Sequence, residues 1–330
     1  MSKFALLIGI NYIGTSNELY GCINDTIMMR KYLIEKRGYN ANNIITLRDG
    51  PSLAQFKMPT KENILNEIKN LINKANTNNA EEIFLHYSGH GSNIRDTNGD
   101  ERNGYDDIIY PIDFNYIADD ELRANISHIN NNTAFYIIMD CCFSATNVDL
   151  PYLYTQQNNL LVLQEDNSKK YPELLNKNIY SFSGCTDNQT SADLYKIYPI
   201  LIDQNSDYSI MINNTSGGAL SATLIATLIN NSNNDIIKAL TYVQSLLKMN
   251  GLPQVPLLSS SKLLTPIIQP PPAPIYAPVS IPASKPASKP TSKPTSKPAS
   301  KPASKPNKIT QIKPVKKVKL TKIIKKTIKK

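Results

Sequence analysis

Cysteine is scarce in this sequence, with four residues among 330 and no spacing that suggests a disulfide framework. The four are Cys22, Cys141, Cys142 and Cys185, and the adjacent pair Cys141 and Cys142 is poorly placed to bridge itself. A chain of this length buries a sizeable core without covalent cross-links. We therefore expect an intracellular, cytoplasmic protein whose fold does not depend on disulfides.

Long apolar runs are also missing. No stretch approaches the roughly 18 apolar residues of a membrane-spanning helix, so we expect a soluble protein with no transmembrane segment. The apolar run Phe4–Ile10 follows Lys3 in the manner of a signal sequence, but no small-residue cleavage site comes after it. We interpret this run as a buried strand.

Acidic residues are absent from Ser284 to the C-terminus, where the sequence has 16 lysines. The 36 basic residues of the chain less these 16 leave 20 before Ser284, against 27 acidic residues. The net charge of +9 therefore divides into −7 for the body and +16 for the tail.

The sequence becomes rich in proline between about Pro266 and Ser284, and proline interrupts both helices and sheet ladders. A four-residue repeat of Ala or Thr followed by Ser-Lys-Pro then continues to Pro306. This composition favours extended polyproline II and forms no core. We predict a folded domain at residues 1–266, a linker at 267–306 and a disordered, Lys-rich basic tail at 307–330.

The end of the tail has an apolar stripe at helical spacing, formed by Leu320, Ile323, Ile324 and Ile328. A short basic amphipathic helix is typical of segments that bind nucleic acid, an acidic membrane surface or a nuclear import receptor, and the last would add a nuclear location. A solvated tail without a specific partner explains the same composition.

Apolar runs alternate with helical patterns along residues 1–266, which favours parallel βαβ units and an α/β fold. Strands are predicted at Phe4–Ile10, Ile44–Leu47, Glu82–Tyr87, Ala134–Asp140 and Ile179–Ser183. Helices are predicted at Asp25–Lys36, Thr60–Ala75, Asp119–Ile129, Ala219–Asn230 and Asp235–Met249, with Thr60 as an N-cap.

A histidine and a cysteine follow the third and fourth of these strands. His90, between two glycines, comes just after the third strand, and Cys142 comes just after the fourth. Ligands of an open parallel sheet bind beyond the carboxyl ends of its strands, so the two side chains can meet if the strands are neighbours. A histidine beside a thiol favours the nucleophilic thiolate. Either residue alone is explained by a structural role, which is our interpretation of His86 and His128.

The sequence around these two residues resembles the histidine and cysteine signatures of the metacaspases. The matching segments are Tyr87–Gly91 and Asp140–Ser144, which place His90 and Cys142 52 residues apart, close to the roughly fifty of caspases. Collinear likenesses run from about Lys3 to Pro266. They include Leu7–Tyr12, Gly21–Asp25, Asp96–Glu101, Gly104–Asp107, Asp149–Tyr152, Phe182–Cys185 and Gln189–Asp193.

The resemblance is to a type I core without the Pro-rich N-terminal segment, and it implies a caspase-like three-layer sandwich with a mostly parallel central sheet. It also implies a cysteine-type endopeptidase in which Cys142 is the nucleophile and His90 transfers the proton. Backbone N–H groups of Gly91 and Cys142 would stabilise the oxyanion, unless Gly91 merely serves the turn.

One departure from the family pattern follows the nucleophile. Phe143-Ser144-Ala145 stand where the family has His-Ser-Gly. This difference keeps open the alternative of a weakly active or inactive homologue that acts as a scaffold and binds nucleic acid or acidic partners through its tail.

Metacaspases as a family cleave after arginine or lysine, and the positions matching their substrate pocket are Cys22, Asp25, Ser88 and Asp140. Two carboxylates in a pocket favour a cationic side chain over an acidic one. Asp25 has a second explanation as a cap of the helix predicted to begin there. The resemblance thus implies protein substrates with a basic P1 residue.

Self-cleavage after a basic residue is expected in the polar, loop-like run Glu165–Lys170, where Lys169 and Lys170 are the candidates. The lysines of the C-terminal repeat are poor sites, because proline follows each of them.

Four aspartates match the positions that bind calcium in metacaspases: Asp106, Asp119, Asp120 and Asp149. Clustered oxygen ligands suit a hard cation such as Ca²⁺, which we expect as an activator and not as a catalytic metal. Zn²⁺ is not expected, because no set of cysteines and histidines has ligand spacing. Four solvated aspartates, two of them at a helix N-terminus, are the alternative.

Three functional hypotheses follow. The first is a monomeric, Ca²⁺-activated, self-processing endopeptidase, and the second is the catalytically weak scaffold. The third is a nucleic-acid-binding protein, which rests on the tail alone because the acidic body offers no second basic surface.

Overall fold

A computed structural model describes residues 2–50, 56–99, 104–141, 148–157, 160–184, 193–194, 217–230, 236–249 and 254–264. Cys142, Phe143 and everything after residue 264 lie outside these ranges, so the linker and the basic tail stay predictions. Within these ranges, no helix combines the length and the apolar character that crossing a membrane requires.

The central element is a single eight-stranded sheet. The strands of the domain are β1 (Lys3–Gly9), β2 (Ile44–Arg48), β3 (Glu82–Ser88), β4 (Gly91–Arg95), β5 (Tyr105–Ile109), β6 (Ile117–Ala118), β7 (Ala134–Asp140), β8 (Tyr152–Gln157), β9 (Leu160–Asp166), β10 (Ile179–Ser183), β11 (Asp193–Leu194), β12 (Gly217–Gly218) and β13 (Leu257–Ser260). The sheet has the order β2-β1-β3-β7-β10-β13-β8-β9. Its strands are parallel from β2 to β10, and β13, β8 and β9 extend it with antiparallel pairings.

Helices cover both faces of this sheet. They are α1 (Cys22–Glu35), α2 (Lys61–Thr77), α3 (Asp119–Ile126), α4 (Ala219–Asn230) and α5 (Ile236–Met249), with short 3₁₀ turns at Ala41–Asn43 and Pro172–Leu174. Residues of β1 alternate between the two faces: Ala5 and Leu7 join the core under α1, α4 and α5, whereas Leu6 and Ile8 join the core under α2 and α3. The predicted three-layer α/β fold with a mostly parallel sheet is confirmed.

The boundaries of the predicted elements shift by a few residues. Helix α2 is preceded by Thr60, whose Oγ1 accepts a hydrogen bond from the Asn63 N–H at 3.3 Å, as a cap residue does. Helix α1 begins three residues earlier than predicted, after Gly21, which has no side chain to signal the start. Helix α3 ends at Ile126 and not at Ile129.

Several strands were not predicted. A separate three-stranded sheet, β4-β5-β6, begins at Gly91, directly after the histidine. Strand β4 has the sequence Gly-Ser-Asn-Ile-Arg, which lacks the apolar alternation of a half-buried strand. The hairpin β8–β9 also occupies part of the region that the sequence suggested to be loop.

The strand order creates a crevice above β1 and β3. From β1 the chain goes outward to β2 and then returns to the other side of β1 to form β3, so the connections leave the sheet in opposite directions. Such a reversal opens a cleft at the carboxyl ends of the two strands, where parallel sheets bind ligands. The loops after β1 and β3 therefore face each other.

Candidate active site

The carboxyl ends of β3 and β7 lie side by side. Ser88 and Asp140 are paired in the parallel register, and the Gly89 N–H donates to the Asp140 carbonyl at 3.3 Å. His90 follows Ser88 by two residues, and Cys142, which lies outside the described residues, follows Asp140 by two. The condition set by the sequence, that the two strands be neighbours, is met. Cys141 is buried, with 1% of its surface exposed.

The imidazole of His90 is held by a carbonyl from the loop after β1. Its Nε2 lies 2.8 Å from the carbonyl oxygen of Asn17. A carbonyl oxygen only accepts, so Nε2 must carry the hydrogen and Nδ1 remains free to accept a proton. The side chain is half-buried and thus within reach of solvent and substrate.

The backbone of His90 is fixed on both sides. Its N–H donates to the Tyr12 hydroxyl at 2.9 Å, and its carbonyl accepts from the Tyr87 hydroxyl at 2.8 Å and from the Tyr110 N–H at 3.0 Å. A β-carbon at Gly89 would lie 2.7 Å from the Tyr87 hydroxyl, so only glycine allows this approach. Burial raises the pKa of both Tyr12 and Tyr87, and their hydroxyls stay neutral.

Gly91, a predicted oxyanion donor, is the first residue of β4 and lies opposite Ile109 in the small sheet. Its position is a strand end and not a tight turn. The oxyanion role of Gly91 and Cys142 stays a prediction.

Three of the predicted pocket residues meet in the interior beneath the histidine. Ser88 Oγ donates to Asp25 Oδ2 at 2.7 Å, and Asp25 and Asp140 both have 3% or less of their surface exposed. The N–H of Gly218 donates to Asp25 at 3.0 Å, and the N–H of Ser221 donates to Asp140 Oδ2 at 2.7 Å. These N–H groups provide hydrogen-bond partners for both buried carboxylates.

The alternative explanation of Asp25, as a cap of its own helix, is wrong. Helix α1 begins three residues before Asp25, and its N-cap is Gly21. Asp25 and Asp140 instead accept from the first N–H groups of α4, whose positive dipole end stabilises both anions. Binding this helix end is a structural role that both carboxylates fill. Cys22, the fourth pocket residue, lies one turn before Asp25 in α1 and is buried.

Gly218 was not recognised in the sequence. A β-carbon at this position would lie 2.2 Å from Asp140 Oδ2 and 3.0 Å from Asp25 Oδ2, so any side chain would push the helix away from the carboxylates. The signal in the sequence is the pair Gly217-Gly218 directly before an apolar helical run.

Three of the four predicted calcium ligands come together. Carboxylate oxygens of Asp119, Asp120 and Asp149 lie within 4.8 Å of one another, and Asp149 adopts a left-handed φ of 43°. Asp106 is not in this group. It lies on β5 beside Asp107, whose N–H donates to Asp119 Oδ2 at 2.7 Å. Carboxylates from two or more segments within this distance fit a hard cation with oxygen ligands.

Arg123 shares these carboxylates. Its guanidinium donates to Asp120 Oδ1 at 2.5 Å and to Asp149 Oδ2 at 3.0 Å, and it lies over the Tyr171 ring. The side chain of Arg123 is 18% exposed, so the pairs are partly shielded from water. The signal in the sequence for the pair of Asp120 and Arg123 is their spacing of three, because residues three apart are neighbours on one face of a helix.

His86 and His128 lie apart from the site. His86 Nε2 contacts Ser221 Oγ at 2.9 Å in the core, and burial lowers the pKa of His86 to about 3. A group with this pKa accepts no proton at neutral pH. His128 is exposed and its carbonyl accepts from the Asn76 side chain.

The predicted self-cleavage run differs from the expected loop. Glu165 and Asp166 belong to β9, and the N–H groups of Lys170 and Tyr171 both donate to the Asn167 carbonyl, at 2.9 and 3.1 Å. Lys169 is exposed, whereas Lys170 lies over the Tyr171 ring at 4.5 Å. The two lysines therefore sit in a hydrogen-bonded turn and not in extended backbone.

Comparison with known proteins gives consistent matches. Residues 3–151 match the family described as metacaspase, peptidase C14 domain. Metacaspase-1A of Neurospora crassa is 42% identical in an alignment 170 residues long, which covers 50% of this chain and 36% of that protein. Metacaspase-1 of Meyerozyma guilliermondii is 31% identical in an alignment 307 residues long, gaps included, which covers 78% of this chain and 69% of that protein. The chain thus spans much less than two thirds of the Neurospora relative and slightly more than two thirds of the Meyerozyma one.

Two solved structures are similar to this one. The Drosophila initiator caspase Dronc has a TM-score of 0.44 and 8% identity, covering 78% of this chain and 79% of Dronc. A Geobacter sulfurreducens protein has a TM-score of 0.48 and 20% identity, covering 79% of this chain and 94% of that one.

Proposed function

The chain belongs to the metacaspase family, and on this premise we propose that it is a cysteine endopeptidase in which Cys142 is the nucleophile and His90 carries the proton. The observation that carries the proposal is the position of His90. It stands where β3 and β7 end side by side, with Nε2 on the Asn17 carbonyl and Nδ1 left as acceptor.

In the first half of the reaction, Nδ1 of His90 takes the thiol proton of Cys142, and the thiolate attacks the carbonyl carbon of the scissile peptide bond. The Asn17 carbonyl stabilises the imidazolium that forms, because it accepts from Nε2–H in both protonation states. The imidazolium then gives its proton to the leaving amine, and a thioester remains on Cys142.

In the second half, His90 takes a proton from water, and the resulting hydroxide attacks the thioester. The N–H groups of Gly91 and Cys142 would stabilise the oxyanion of both tetrahedral intermediates. Collapse of the second intermediate releases the carboxylic acid and returns the proton to Cys142.

The proposed specificity is for arginine or lysine at P1. It is supported by Asp25 and Asp140, two buried carboxylates beneath His90. Ser88, at the end of β3, donates to Asp25 and lies opposite Asp140 in the sheet. A guanidinium or ammonium group would gain charge-assisted hydrogen bonds there, while an acidic side chain would be repelled. Cys22 would line the same pocket from the first turn of α1.

Activation by Ca²⁺ is the third part of the proposal. Asp119, Asp120 and Asp149 would hold the ion, with Asp106 joining from β5. Bound Ca²⁺ would supply positive charge that relieves the repulsion among these carboxylates. Because Asp149 follows the nucleophile in sequence and Asp119 begins α3, their joint ligation would tie the two segments together.

Self-processing is proposed after Lys169 or Lys170. The exposure of Lys169 supports it, and the hydrogen-bonded turn must open before the peptide enters a cleft. Mass spectrometry of purified protein incubated with Ca²⁺ tests it against a Lys169→Gln/Lys170→Gln variant. Cleavage only at other sites would contradict this assignment.

The central experiment is the turnover of a fluorogenic peptide ending in Arg or Lys, with and without Ca²⁺, by the full chain. We expect turnover that is lost in Cys142→Ala and nearly lost in His90→Ala, because an unactivated thiol is a poor nucleophile. Turnover retained by Cys142→Ala would refute the assignment.

A second candidate is favoured by Phe143, which replaces the family histidine, and by the 16 lysines after Ser284. In this case a catalytically weak domain serves as a scaffold, and the tail binds nucleic acid. Binding to duplex DNA that weakens steeply with salt and disappears on removal of residues 284–330, together with absence of peptide turnover, would favour it over the peptidase.

A further inference from the structure

We propose that Tyr12 is a positioning residue for His90 and that Asp49 holds Tyr12 in place. The inference rests on the proposed function, because a positioning role has meaning only if His90 carries the proton.

Tyr12 contacts both the backbone and the ring of His90. Its hydroxyl accepts from the His90 N–H at 2.9 Å and donates to the Tyr110 carbonyl at 2.6 Å. Its ring centroid lies 4.6 Å from that of the imidazole, with the planes inclined by 38°. The hydroxyl therefore fixes where the side chain of His90 begins, and the ring limits how the imidazole rotates.

Tyr12 occupies a conformation that needs support. Its φ is 52°, in the left-handed region that residues with a β-carbon rarely adopt. The Asp49 carboxylate holds both neighbours: Oδ1 accepts from the Asn11 N–H at 2.7 Å and Oδ2 from the Ile13 N–H at 2.9 Å. Asp49 is 3% exposed and Tyr12 is fully buried. The carboxylate thus clamps the turn on either side of the tyrosine.

The same loop also supplies the partner of Nε2. Asn17, whose carbonyl meets His90, lies five residues after Tyr12. The Leu19 N–H donates to the Asn11 carbonyl at 2.7 Å and closes the loop on itself. The imidazole is therefore held between two parts of one closed loop, and Asp49 anchors that loop.

Tyr12 acts by position and not by moving a proton. Burial raises the pKa of its hydroxyl, which stays protonated throughout the working range of a peptidase. Displacement of a catalytic group by about 1 Å lowers the rate on the order of 100-fold. Contacts that keep His90 in position therefore have a large effect on the rate.

The test is steady-state kinetics of the full chain on an Arg peptide with Ca²⁺. The concentration of competent sites is measured by alkylating Cys142 to completion. Tyr12→Leu removes ring and hydroxyl, and we expect kcat per titrated site to fall about 100-fold with KM unchanged. Tyr12→Phe keeps the ring and Asp49→Asn weakens the clamp, and we expect each to lower kcat by about tenfold.

Tyr32→Leu is the matched control, because Tyr32 is also a fully buried tyrosine but lies in the core on the opposite face of the sheet. We expect it to lower the melting temperature without changing kcat per titrated site. A fall in kcat per titrated site at position 12 that Tyr32→Leu does not share is a response that general loss of stability would not produce.

The outcomes separate the two proposals. A parent chain without turnover would refute the proposed function and this inference with it. An active parent, with kcat per titrated site of Tyr12→Leu within about threefold of the parent value, would refute the inference and leave the proposed function standing.

Discussion

Ser88 donates a 2.7 Å hydrogen bond to Asp25, and this bond joins the last residue of β3 to the first turn of α1. Because His90 follows Ser88 by two residues, the strand that carries the histidine also carries the donor that orients one of the buried carboxylates. In the proposed enzyme, recognition of the substrate side chain and transfer of the proton are therefore built on one strand end.

Replacing Asp25 tests the basic specificity. Asp25→Asn keeps an oxygen for the Gly218 N–H but removes the charge, so we expect KM for Arg and Lys peptides to rise about 10- to 100-fold. Steady-state kinetics measure this. Glu62→Gln, at an exposed acid on α2, is the control for lost negative charge. Unchanged KM in Asp25→Asn, or a preference for Asp at P1, would remove the acidic pocket from the proposal.

The two adjacent cysteines should behave differently. Cys141 is buried, and we expect Cys141→Ala to remain active while Cys142→Ala is inactive. An alkylating peptide probe followed by mass spectrometry identifies the labelled residue. Label on Cys141 with Cys142 spared would show that the assignment is reversed.

Arg123 should compete with Ca²⁺ for Asp120 and Asp149, since its guanidinium already binds both. We expect Arg123→Gln to bind Ca²⁺ about tenfold more tightly than the parent, measured by calorimetry. Arg30→Gln, on the distant helix α1, is the control for lost positive charge.

Chelation and metal exchange test the same site. We expect turnover to be lost in chelator and poorly restored by Mg²⁺, which is smaller and demands stricter octahedral geometry. Full activity in chelator, or Ca²⁺ binding that survives Asp→Asn changes at all four aspartates, would exclude this calcium site.

Stability should fall with acid because of His86. Its pKa of about 3 in the folded chain lies below the ordinary 6.5, so only the unfolded chain takes up this proton between the two values. The contribution of neutral His86 to the free energy of unfolding is therefore fully present above pH 6.5 and is lost as the pH falls. The free energy of unfolding should decrease by about 2 kcal/mol between pH 7 and pH 5.

Urea unfolding at both pH values measures this dependence. We expect His86→Gln to have the shallower dependence and His128→Gln, at an exposed histidine, to match the parent. Identical pH dependence of the parent and His86→Gln would contradict the assignment.

Short sequence patterns were sufficient to place His90 and Asp140 at the ends of strands. They were not sufficient to show that the start of α4 binds the buried carboxylates. His90 and Asp140 follow from apolar strands that end in glycine or polar residues, and these patterns extend over fewer than ten residues. The pairing of Asp25 with Gly218 joins residues 193 positions apart, which no local pattern reports. Asn17 acts through its carbonyl, a group that every residue has, so its identity carried no signal.

Strand β4 was missed because its sequence is polar. Strand β4 contains one apolar residue, Ile94, and its pairing with β5 is visible only in three dimensions. The contact between Arg123 and Asp120 had a signal in the sequence, because residues three apart are neighbours on one face of a helix.

The separation of Asp25 from Gly218 has a consequence during synthesis. A ribosome adding roughly 5 to 20 residues per second needs roughly 10 to 40 s to reach Gly218 after Asp25. The parallel strands β1, β3 and β7 leave the ribosome well before that point, but the carboxylates beneath them have no helix end to bind until α4 emerges. A nascent chain stalled before α4 therefore carries His90 without the helix end that binds Asp25 and Asp140. If the proposed function holds, we expect such a truncated chain to be inactive as a peptidase.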